Sequence, residues 1–208
     1  MSSAPYPRRG VCLVLAAPSG AGKSTIAREL RAREPGLVNS ISVTTRAPRP
    51  GERDGVDYFF RSSEEFARMV DAGELLEWAQ VFNHSYGTPR APVVSALAGG
   101  HDMIFDIDWQ GHRLLRAALP ADVVGVFILP PSLALLRQRL VARGTDSAEV
   151  IEARMARAQA EITHWPEFDN VLINQDLATT IDQAHAVLIA GRSAVSRQTG
   201  LADLGFAF

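Results

Sequence analysis

The chain has 208 residues, 47% of them hydrophobic, and a formal net charge of −2. This length suits one compact domain with room for inserted subdomains. The charge argues against a general nucleic-acid binder, which normally carries a basic excess, and the single cysteine excludes a disulfide within the chain. The five histidines lack the spacing of a zinc site, and residues 1–10 are too polar for a signal peptide. We therefore expect a cytoplasmic protein with no membrane or nucleic-acid polymer as partner.

A glycine-rich segment follows the first apolar run of the chain. Residues 11–16 predict a buried strand, and a helical pattern covers residues 24–33. Between them, Gly20 and Gly22 allow the backbone to turn its N–H groups around an anion, to which the start of the helix adds unpaired donors. We predict a phosphate-binding loop with the sequence Ala17-Pro18-Ser19-Gly20-Ala21-Gly22-Lys23-Ser24, followed by Thr25.

The chemistry of this loop depends on its last two residues. Lys23 would reach the β- and γ-phosphates of a nucleotide, and the Ser24 hydroxyl would hold Mg²⁺. Lys23 is also the only lysine in the chain, and all other strongly basic side chains are arginine. This choice indicates that the position requires the compact point charge of an ammonium group. Ala17 replaces the first glycine of the G-x-x-x-x-G-K-[ST] pattern, which is acceptable where the backbone needs no positive φ. The alternative interpretation is a glycine-rich turn closed by a surface lysine.

The pattern changes after the first helix. Residues 37–43 predict a short strand, and residues 42–52 form a loop rich in hydroxyls, arginine and proline, of the kind that carries function. Ser62 and Glu65 predict a capping box at the start of a helix. That helix is predicted over 62–73, with strands over 57–60 and 74–82, a turn over 83–89 and a helix over 91–98. These elements predict a small lobe inserted into the main sheet.

The main sheet resumes with an apolar run that ends in two carboxylates, Asp106 and Asp108. We predict strands over 102–108, 122–129 and 169–174, and helices over 109–119, 132–141, 147–163 and 179–196. This alternation predicts an α/β fold with a doubly wound parallel sheet core, whose C-terminal edge binds ligands. At that edge Asp106 would orient metal-bound water or, in the alternative interpretation, cap the helix that begins near Trp109.

Taken together, these motifs resemble those of the guanylate kinase family. The resemblance runs from about residue 11 to residue 174, in the family's order and spacing. It is carried by the phosphate loop and by the segments 44–52, Asp57-Tyr58, Glu77-Trp78-Ala79, Tyr86-Gly87-Thr88, 106–111 and Arg143-Gly144-Thr145.

The resemblance implies a three-part enzyme. A P-loop NTPase-type core would comprise residues 1–41, 90–136 and 165–208, with a GMP-binding lobe of residues 42–89 and a helical lid of residues 137–164. The implied reaction transfers the γ-phosphoryl group of ATP to GMP or dGMP, with ATP and Mg²⁺ as cofactors, in purine nucleotide metabolism. Monomer and homo-oligomer stay open.

The acceptor phosphate needs positive charge and hydroxyl donors. Arg46 and Arg49 can give forked, charge-assisted hydrogen bonds to a phosphate, and Tyr58 and Tyr86 can add their hydroxyls. The resemblance assigns these positions, together with Ser42, to GMP. The alternative is that both arginines are solvated, as exposed charges in a proline-rich loop usually are.

Base choice follows from the guanine edge. Guanine presents N1–H and N2–H₂ side by side, so the Glu77 carboxylate can accept from both, whereas adenine would face it with an acceptor. Thr88 and Asp108 would complete the set of contacts, and Thr88 stands where the family commonly has serine. A site built in this way can reject an analogue by roughly 10⁴-fold. The alternative for Glu77 is an exposed strand residue.

The arginine-rich segment near residue 140 would close over ATP. By resemblance, Arg139, Arg143 and Arg154 contact the ATP phosphates, whereas Arg137 and Arg157 fit a solvated helix face paired with glutamates. Asn174 is a candidate adenine contact or an ordinary turn asparagine. The catalytic set is Lys23, Arg46, Arg139, Arg143 and Arg154; the GMP set adds Asp106; the metal set is Ser24 and, through water, Asp106.

Two other functions are consistent with this fold. One is a catalytically silent relative that binds peptides or partners, which the presence of the phosphate-loop and lid charges disfavours. The other is a kinase for another phosphorylated acceptor, such as a ribose bisphosphate. Glu77 argues against it, because a sugar phosphate has no guanine edge to satisfy the carboxylate.

Overall fold

The computed structural model describes residues 7–81, 83–142 and 147–201. The strands are β1 (Cys12–Ala16), β2 (Leu37–Asn39), β3 (Val43–Thr44), β4 (Phe59–Phe60), β5 (Leu75–Val81), β6 (His84–Pro89), β7 (Asp102–Asp106), β8 (Val123–Leu129) and β9 (Asn170–Ile173). The α-helices are α1 (Lys23–Arg33), α2 (Ser63–Asp71), α3 (Arg90–Ala98), α4 (Trp109–Ala118), α5 (Leu133–Ala142), α6 (Ala148–Ile162) and α7 (Leu177–Arg192), with short 3₁₀ turns at Trp165–Glu167 and Val195–Arg197.

The main sheet is parallel throughout and has the strand order β2-β7-β1-β8-β9. Successive side chains of β1 point to opposite faces, and the whole strand is buried. Leu13 and Leu15 pack against α1 and α7 on one face, whereas Cys12 and Val14 pack against α3 and α4 on the other. Helices on both faces of a parallel sheet confirm the α/β, doubly wound, P-loop NTPase-type core.

A second, four-stranded sheet has the order β4-β3-β6-β5. The strands β5 and β6 are antiparallel, and α2 covers the sheet by packing Phe66 against Val43 and Leu75. The capping box of α2 is confirmed, since Ser62 accepts from the Glu65 N–H and Glu65 accepts from the Ser62 N–H.

Two predictions in this region were wrong. Residues 83–89 are not a turn but contain β6, and the predicted strand over 37–43 divides into β2 and β3, which lie in different sheets. Asn83, Gly87 and Pro89 are turn-forming residues, and the segment becomes a strand because β3 and β5 pair with it on either side.

Other element boundaries differ by a few residues. β7 ends at Asp106, before the predicted end at 108, because Asp108 caps α4. The final helix begins at Leu177, where the Asp176 side chain accepts from the Thr179 N–H, and ends at Arg192 instead of 196. Within the described ranges, no helix has the length and apolar character needed to span a bilayer.

Candidate active site

The phosphate loop joins β1 to α1 and needs two glycines in left-handed backbone. Gly20 has φ 93° and Gly22 has φ 99°, a region that side chains with a Cβ rarely adopt. The Ala21 N–H donates to the Pro18 carbonyl at 3.1 Å, which closes the loop. Ala17 packs against the core beneath it. The loop therefore leads directly into the N-terminus of α1, where unpaired backbone N–H groups favour the binding of an anion.

Lys23, Ser24 and Asp106 converge where β1 and β7 end. The two strands are neighbours, and Leu15 lies beside Asp106 in the register. The Lys23 ammonium is 2.7 Å from Asp106 Oδ1 and donates to the Ile107 carbonyl at 3.0 Å. The Ser24 hydroxyl donates to Asp106 Oδ2 at 3.1 Å. The loop thus has a cation, a hydroxyl and a carboxylate at the ligand-binding edge of the sheet.

The helix cap expected of Asp106 is instead made by Asp108. The Asp108 side chain accepts from the Gly111 N–H at 2.9 Å, at the start of α4. The alternative role of Asp106 as that cap was therefore wrong, and Asp106 instead contacts Lys23 and Ser24 of the phosphate loop.

A cleft of about 210 Å³ separates Asp106 from the second sheet. Ser42 and Tyr58, two of the predicted GMP ligands, line it next to the second sheet, and Asp106 lines it from the end of β7. Asn39, Ser40, Asp57, Phe105 and Ile107 complete its lining.

Arg46 is held by its own loop. Its Nη2 lies 2.8 Å from both carboxylate oxygens of Glu52, and its Nη1 donates to the Ala47 carbonyl at 2.7 Å. The guanidinium also lies over the Tyr58 ring, 5.4 Å from the centroid. Hydrogen bonding to Glu52 raises the pKa of Arg46, which is charged at neutral pH in any case.

The other predicted acceptor-phosphate ligands lie close to Arg46. Tyr58 and Tyr86 pack edge to face with centroids 6.1 Å apart, and burial raises the pKa of Tyr58. Arg49 is exposed, and its backbone N–H donates to Glu52 at 2.7 Å. Sequence reasoning missed Glu52, although its position at the end of the arginine and proline loop is a usable signal.

Glu77 is buried, with 8% of its surface exposed, so the alternative of an exposed strand residue was wrong. The buried Thr88 hydroxyl donates to Glu77 Oε1 at 2.6 Å across the β5–β6 pair. Burial raises the pKa of Glu77 to about 7, the Thr88 hydrogen bond opposes this shift, and the negative charge of Asp108 adds to it. Glu77, Thr88 and Asp108 therefore form one cluster.

The arginines of α5 and α6 fall into two groups. Arg139 donates to the Asn174 carbonyl at 3.1 Å, and Arg154 lies half-buried on α6. Arg137 pairs with Glu152, and Arg157 pairs with Glu161 at 2.8 Å, which confirms the expected glutamate pairing of these two. Arg143 lies outside the described residues.

A second cleft, of about 520 Å³, lies beside the phosphate loop. Gly20, Gly22 and Thr25 line it from the loop and α1. Arg139, Ala142, Asn174, Gln175, Asp176 and Leu177 complete its lining. The Asn174 side-chain amide, however, is buried and donates to the Ala21 carbonyl at 2.7 Å.

The few oxygen ligands at the loop suit Mg²⁺ better than they suit a metal ion that is coordinated entirely by protein side chains. Across residues 7–81, 83–142 and 147–201, no group of three or more His, Cys, Asp or Glu side chains is arranged to hold a metal ion. Magnesium is usually held by one or two protein groups together with waters and substrate phosphates. Ser24 and Asp106, which lie 3.1 Å apart beside Lys23, provide such a sparse oxygen set.

A parallel α/β sheet whose first strand runs through a glycine loop into Lys23, Ser24 and a helix defines a P-loop nucleotide-binding protein. The sequence model of the guanylate kinase family matches residues 9–190. The chain therefore belongs to the guanylate kinase family.

Individual relatives agree with this assignment over nearly their whole length. The guanylate kinase of Gluconobacter oxydans is 63% identical over 202 residues, which is 97% of both chains. That of Granulibacter bethesdensis is 57% identical over 92% of this chain and 89% of its own. The crystal structure of guanylate kinase from Anaplasma phagocytophilum superimposes with a TM-score of 0.75 at 38% identity, covering 94% of this chain and 93% of that one.

Proposed function

We propose that this protein transfers the γ-phosphoryl group of ATP to GMP or dGMP, giving ADP and GDP or dGDP, with Mg²⁺ as the metal. The observation that carries the proposal is a single cleft lined both by Asp106, which contacts Lys23, and by Ser42 and Tyr58, which directly precede β3 and β4 of the second sheet. A phosphate donor on the loop and a phosphorylated acceptor in the cleft are neighbours in this arrangement.

On the donor side, phosphoryl transfer asks the protein mainly for positioning and for neutralisation of charge. Lys23 neutralises the β- and γ-phosphates, while residues 17–25, apart from Pro18, supply backbone N–H groups. Ser24 would bind Mg²⁺ directly and Asp106 would bind it through water. When bound, the metal supplies positive charge that draws electron density from the transferring group.

On the acceptor side, Arg46, Arg49, Tyr58, Tyr86 and Ser42 bind the GMP phosphate. A guanidinium has five donors. Those of Arg46 contact Glu52, the Ala47 carbonyl and the Tyr86 hydroxyl, which leaves at least one donor for the phosphate. The contacts with its own loop therefore orient the Arg46 side chain and still leave it able to donate to the phosphate.

Guanine is selected by buried Glu77 and Thr88 together with the partly exposed Asp108. A Glu77 carboxylate accepts from N1–H and N2–H₂ of guanine, and its burial excludes the water that would weaken these bonds. Adenine would place an acceptor against the same carboxylate and leave it unpaired, which is costly in a buried site.

We further propose the division of the chain into a core, a GMP-binding lobe of residues 42–89 and a lid of residues 137–164. Closure of the lid brings Arg139, Arg143 and Arg154 to the ATP phosphates. A lid that closes only over both nucleotides excludes water and suppresses wasteful hydrolysis of ATP. The enzyme would act in the cytoplasm, in purine nucleotide metabolism.

The test is to measure ADP formation from ATP and Mg²⁺ with GMP, AMP, CMP, UMP, a ribose bisphosphate or no acceptor, and to measure GMP binding separately. We expect turnover with the guanine nucleotide and little with the others. GMP binding without turnover would favour the catalytically silent relative. Turnover with a base-free acceptor, such as a ribose bisphosphate, would favour the other kinase and contradict the role of Glu77.

A further inference from the structure

The side-chain amide of Asn174 faces the backbone of the phosphate loop. Only 4% of Asn174 is exposed, and its Nδ2 donates to the Ala21 carbonyl at 2.7 Å. Its Oδ1 lies 3.3 Å from the Thr180 hydroxyl, and its own backbone N–H donates to the Leu129 carbonyl at 2.8 Å. Asn174 is thereby fixed by the main sheet and by α7 before it contacts the loop.

This contact determines the orientation of the peptide between Ala21 and Gly22. The peptide is trans, so its carbonyl and its N–H point in opposite directions. Because Asn174 holds the Ala21 carbonyl, the Gly22 N–H is directed away from Asn174. A rotation of this peptide would break a buried hydrogen bond, which costs more than an exposed one.

Gly22 and Asn174 also fit each other sterically. Gly22 has φ 99°, and a Cβ atom at this position would lie 2.6 Å from Asn174 Nδ2. The absence of a side chain therefore lets the asparagine amide reach the loop backbone. The glycine before Lys23 is needed for its backbone angle and for this close approach.

We propose that Asn174 is a positioning residue that sets the phosphate loop for the donor phosphates by holding the Ala21–Gly22 peptide. The proposal rests on the proposed function of the loop in ATP binding. It is offered in place of the adenine contact expected of this side chain, because one Nδ2 hydrogen is directed at the Ala21 carbonyl. The Asn174 carbonyl accepts from Arg139 at 3.1 Å, so the same residue joins the loop to α5.

Tripolyphosphate separates a phosphate role from an adenine role, because it has phosphates but no base. We would measure the affinities of the native protein, Asn174→Ala and Asn174→Asp for tripolyphosphate, ATP and GMP, and the preference for ATP over ITP as donor. Loss of a buried hydrogen bond predicts about tenfold weaker binding of both tripolyphosphate and ATP. The preference for ATP over ITP and the affinity for GMP should not change.

A matched control is available at the other end of β9. The Asn170 side-chain amide donates to the Gly125 carbonyl at 3.5 Å, so Asn170→Ala removes the same kind of amide-to-carbonyl bond, longer and only partly buried, at a place away from the loop. We expect this variant to bind tripolyphosphate normally. If the buried charge of Asn174→Asp prevents folding, Asn174→Ala still provides the test.

Several outcomes would overturn the proposal. Unchanged tripolyphosphate binding with a reduced preference for ATP over ITP would make Asn174 an adenine contact. Equal losses for GMP and tripolyphosphate would mean a general loss of stability. Failure of the proposed function would look different, because the native protein itself would then bind no tripolyphosphate or form no ADP with GMP.

Discussion

Glu77 shows how burial alters the chemistry of a single side chain. Its pKa rises from 4.5 to about 7, mainly because burial disfavours the charged form. The folded protein thus binds the Glu77 proton more tightly than the unfolded chain does. This preference adds its whole stabilising contribution to the free energy of unfolding below pH 4.5, and the contribution is lost as pH rises through about 7. Guanine, in contrast, requires the carboxylate, and GMP binding is expected to release a proton near neutral pH.

This linkage predicts a pH dependence of GMP use. The KM for GMP should rise as pH falls below about 7, by up to about tenfold per pH unit, because one proton competes with guanine. The measurement is KM for GMP across this range in the native protein and in Glu77→Gln. Titration of the GMP phosphate affects the KM of both proteins equally, so the difference between their pH profiles reports the titration of Glu77.

The glutamine variant tests guanine selection independently of pH. Replacing one acceptor oxygen by an NH₂ donor should raise the KM for GMP and reduce the preference for GMP over AMP. Initial rates with the two acceptors measure this preference. If the preference and the pH profile both survived in Glu77→Gln, guanine would be recognised by other residues.

Lys23 is the other residue whose surroundings predict a large effect. Its ammonium contacts Asp106 and the Ile107 carbonyl at the end of β7, close to where donor phosphates would lie. Lys23→Ala should lower kcat by roughly 10²–10³, by analogy with the loss of one donor to transition-state charge. Steady-state kinetics with saturating GMP measure kcat. Near-native turnover of the variant would show that Lys23 has no catalytic role.

Among the secondary-structure elements, the β5–β6 pair organises the acceptor side. Its register places Glu77 opposite Thr88 and Ala79 opposite Tyr86, so the carboxylate proposed to bind the base and the hydroxyl proposed to bind the phosphate lie on the same face. Gly87 faces Trp78 between them. The geometry of the site therefore depends on a close approach of two strands at a glycine.

Gly87→Ala tests this dependence. A Cβ atom would lie 2.8 Å from Leu75 Cδ1 and 3.0 Å from the Glu77 carbonyl oxygen, so the strands must separate. We expect the free energy of unfolding to fall by about 1–3 kcal/mol and the KM for GMP to rise, with the KM for ATP unchanged. Chemical denaturation and kinetics measure these effects. Gly36→Ala is the control, because a Cβ there meets no atom within 4 Å, and equal effects of the two substitutions would contradict the interpretation.

In the molecule as a whole, the buried carboxylate of Asp102 and two partly exposed arginines form an ion-pair network at the end of the main sheet opposite the active site. Asp102, at the start of β7, accepts from Arg8 at 2.7 and 2.9 Å, from Arg192 at 2.7 Å and from the Val11 N–H at 2.9 Å. Arg192 also contacts Glu34 at the end of α1, at 2.7 Å. This network joins the beginning of the described chain, the phosphate-loop helix and α7.

Asp102→Asn should therefore destabilise the fold without a specific effect on catalysis. It leaves Arg8 and Arg192 without their shared carboxylate, and breaking a buried pair costs about 3–5 kcal/mol, with the lower end expected because both arginines are partly exposed. Thermal and denaturant unfolding measure the loss. The control Asp182→Asn removes an exposed partner of Arg33 and should cost at most about 1 kcal/mol. A large change in KM with native stability would contradict this assignment.

The sequence by itself determined the parts of this protein that consecutive residues specify. The apolar run of β1, the loop glycines and Lys23 predict the phosphate loop, and Ser62 with Glu65 predicts the start of α2, because strands, tight turns and caps depend on neighbours within a few positions. The spacing of such motifs along the chain was also sufficient to predict the family.

Only the tertiary structure decided the features that depend on distant partners. The segment containing Gly87 is a strand because β3 and β5 pair with it, and the Glu77 pKa is raised because the fold removes water from it. Asn174 faces Ala21, which is 153 residues away in the chain, instead of open solvent. Pairing, burial and hydrogen-bond choice depend on which surfaces the fold brings together, and local propensity does not contain that information.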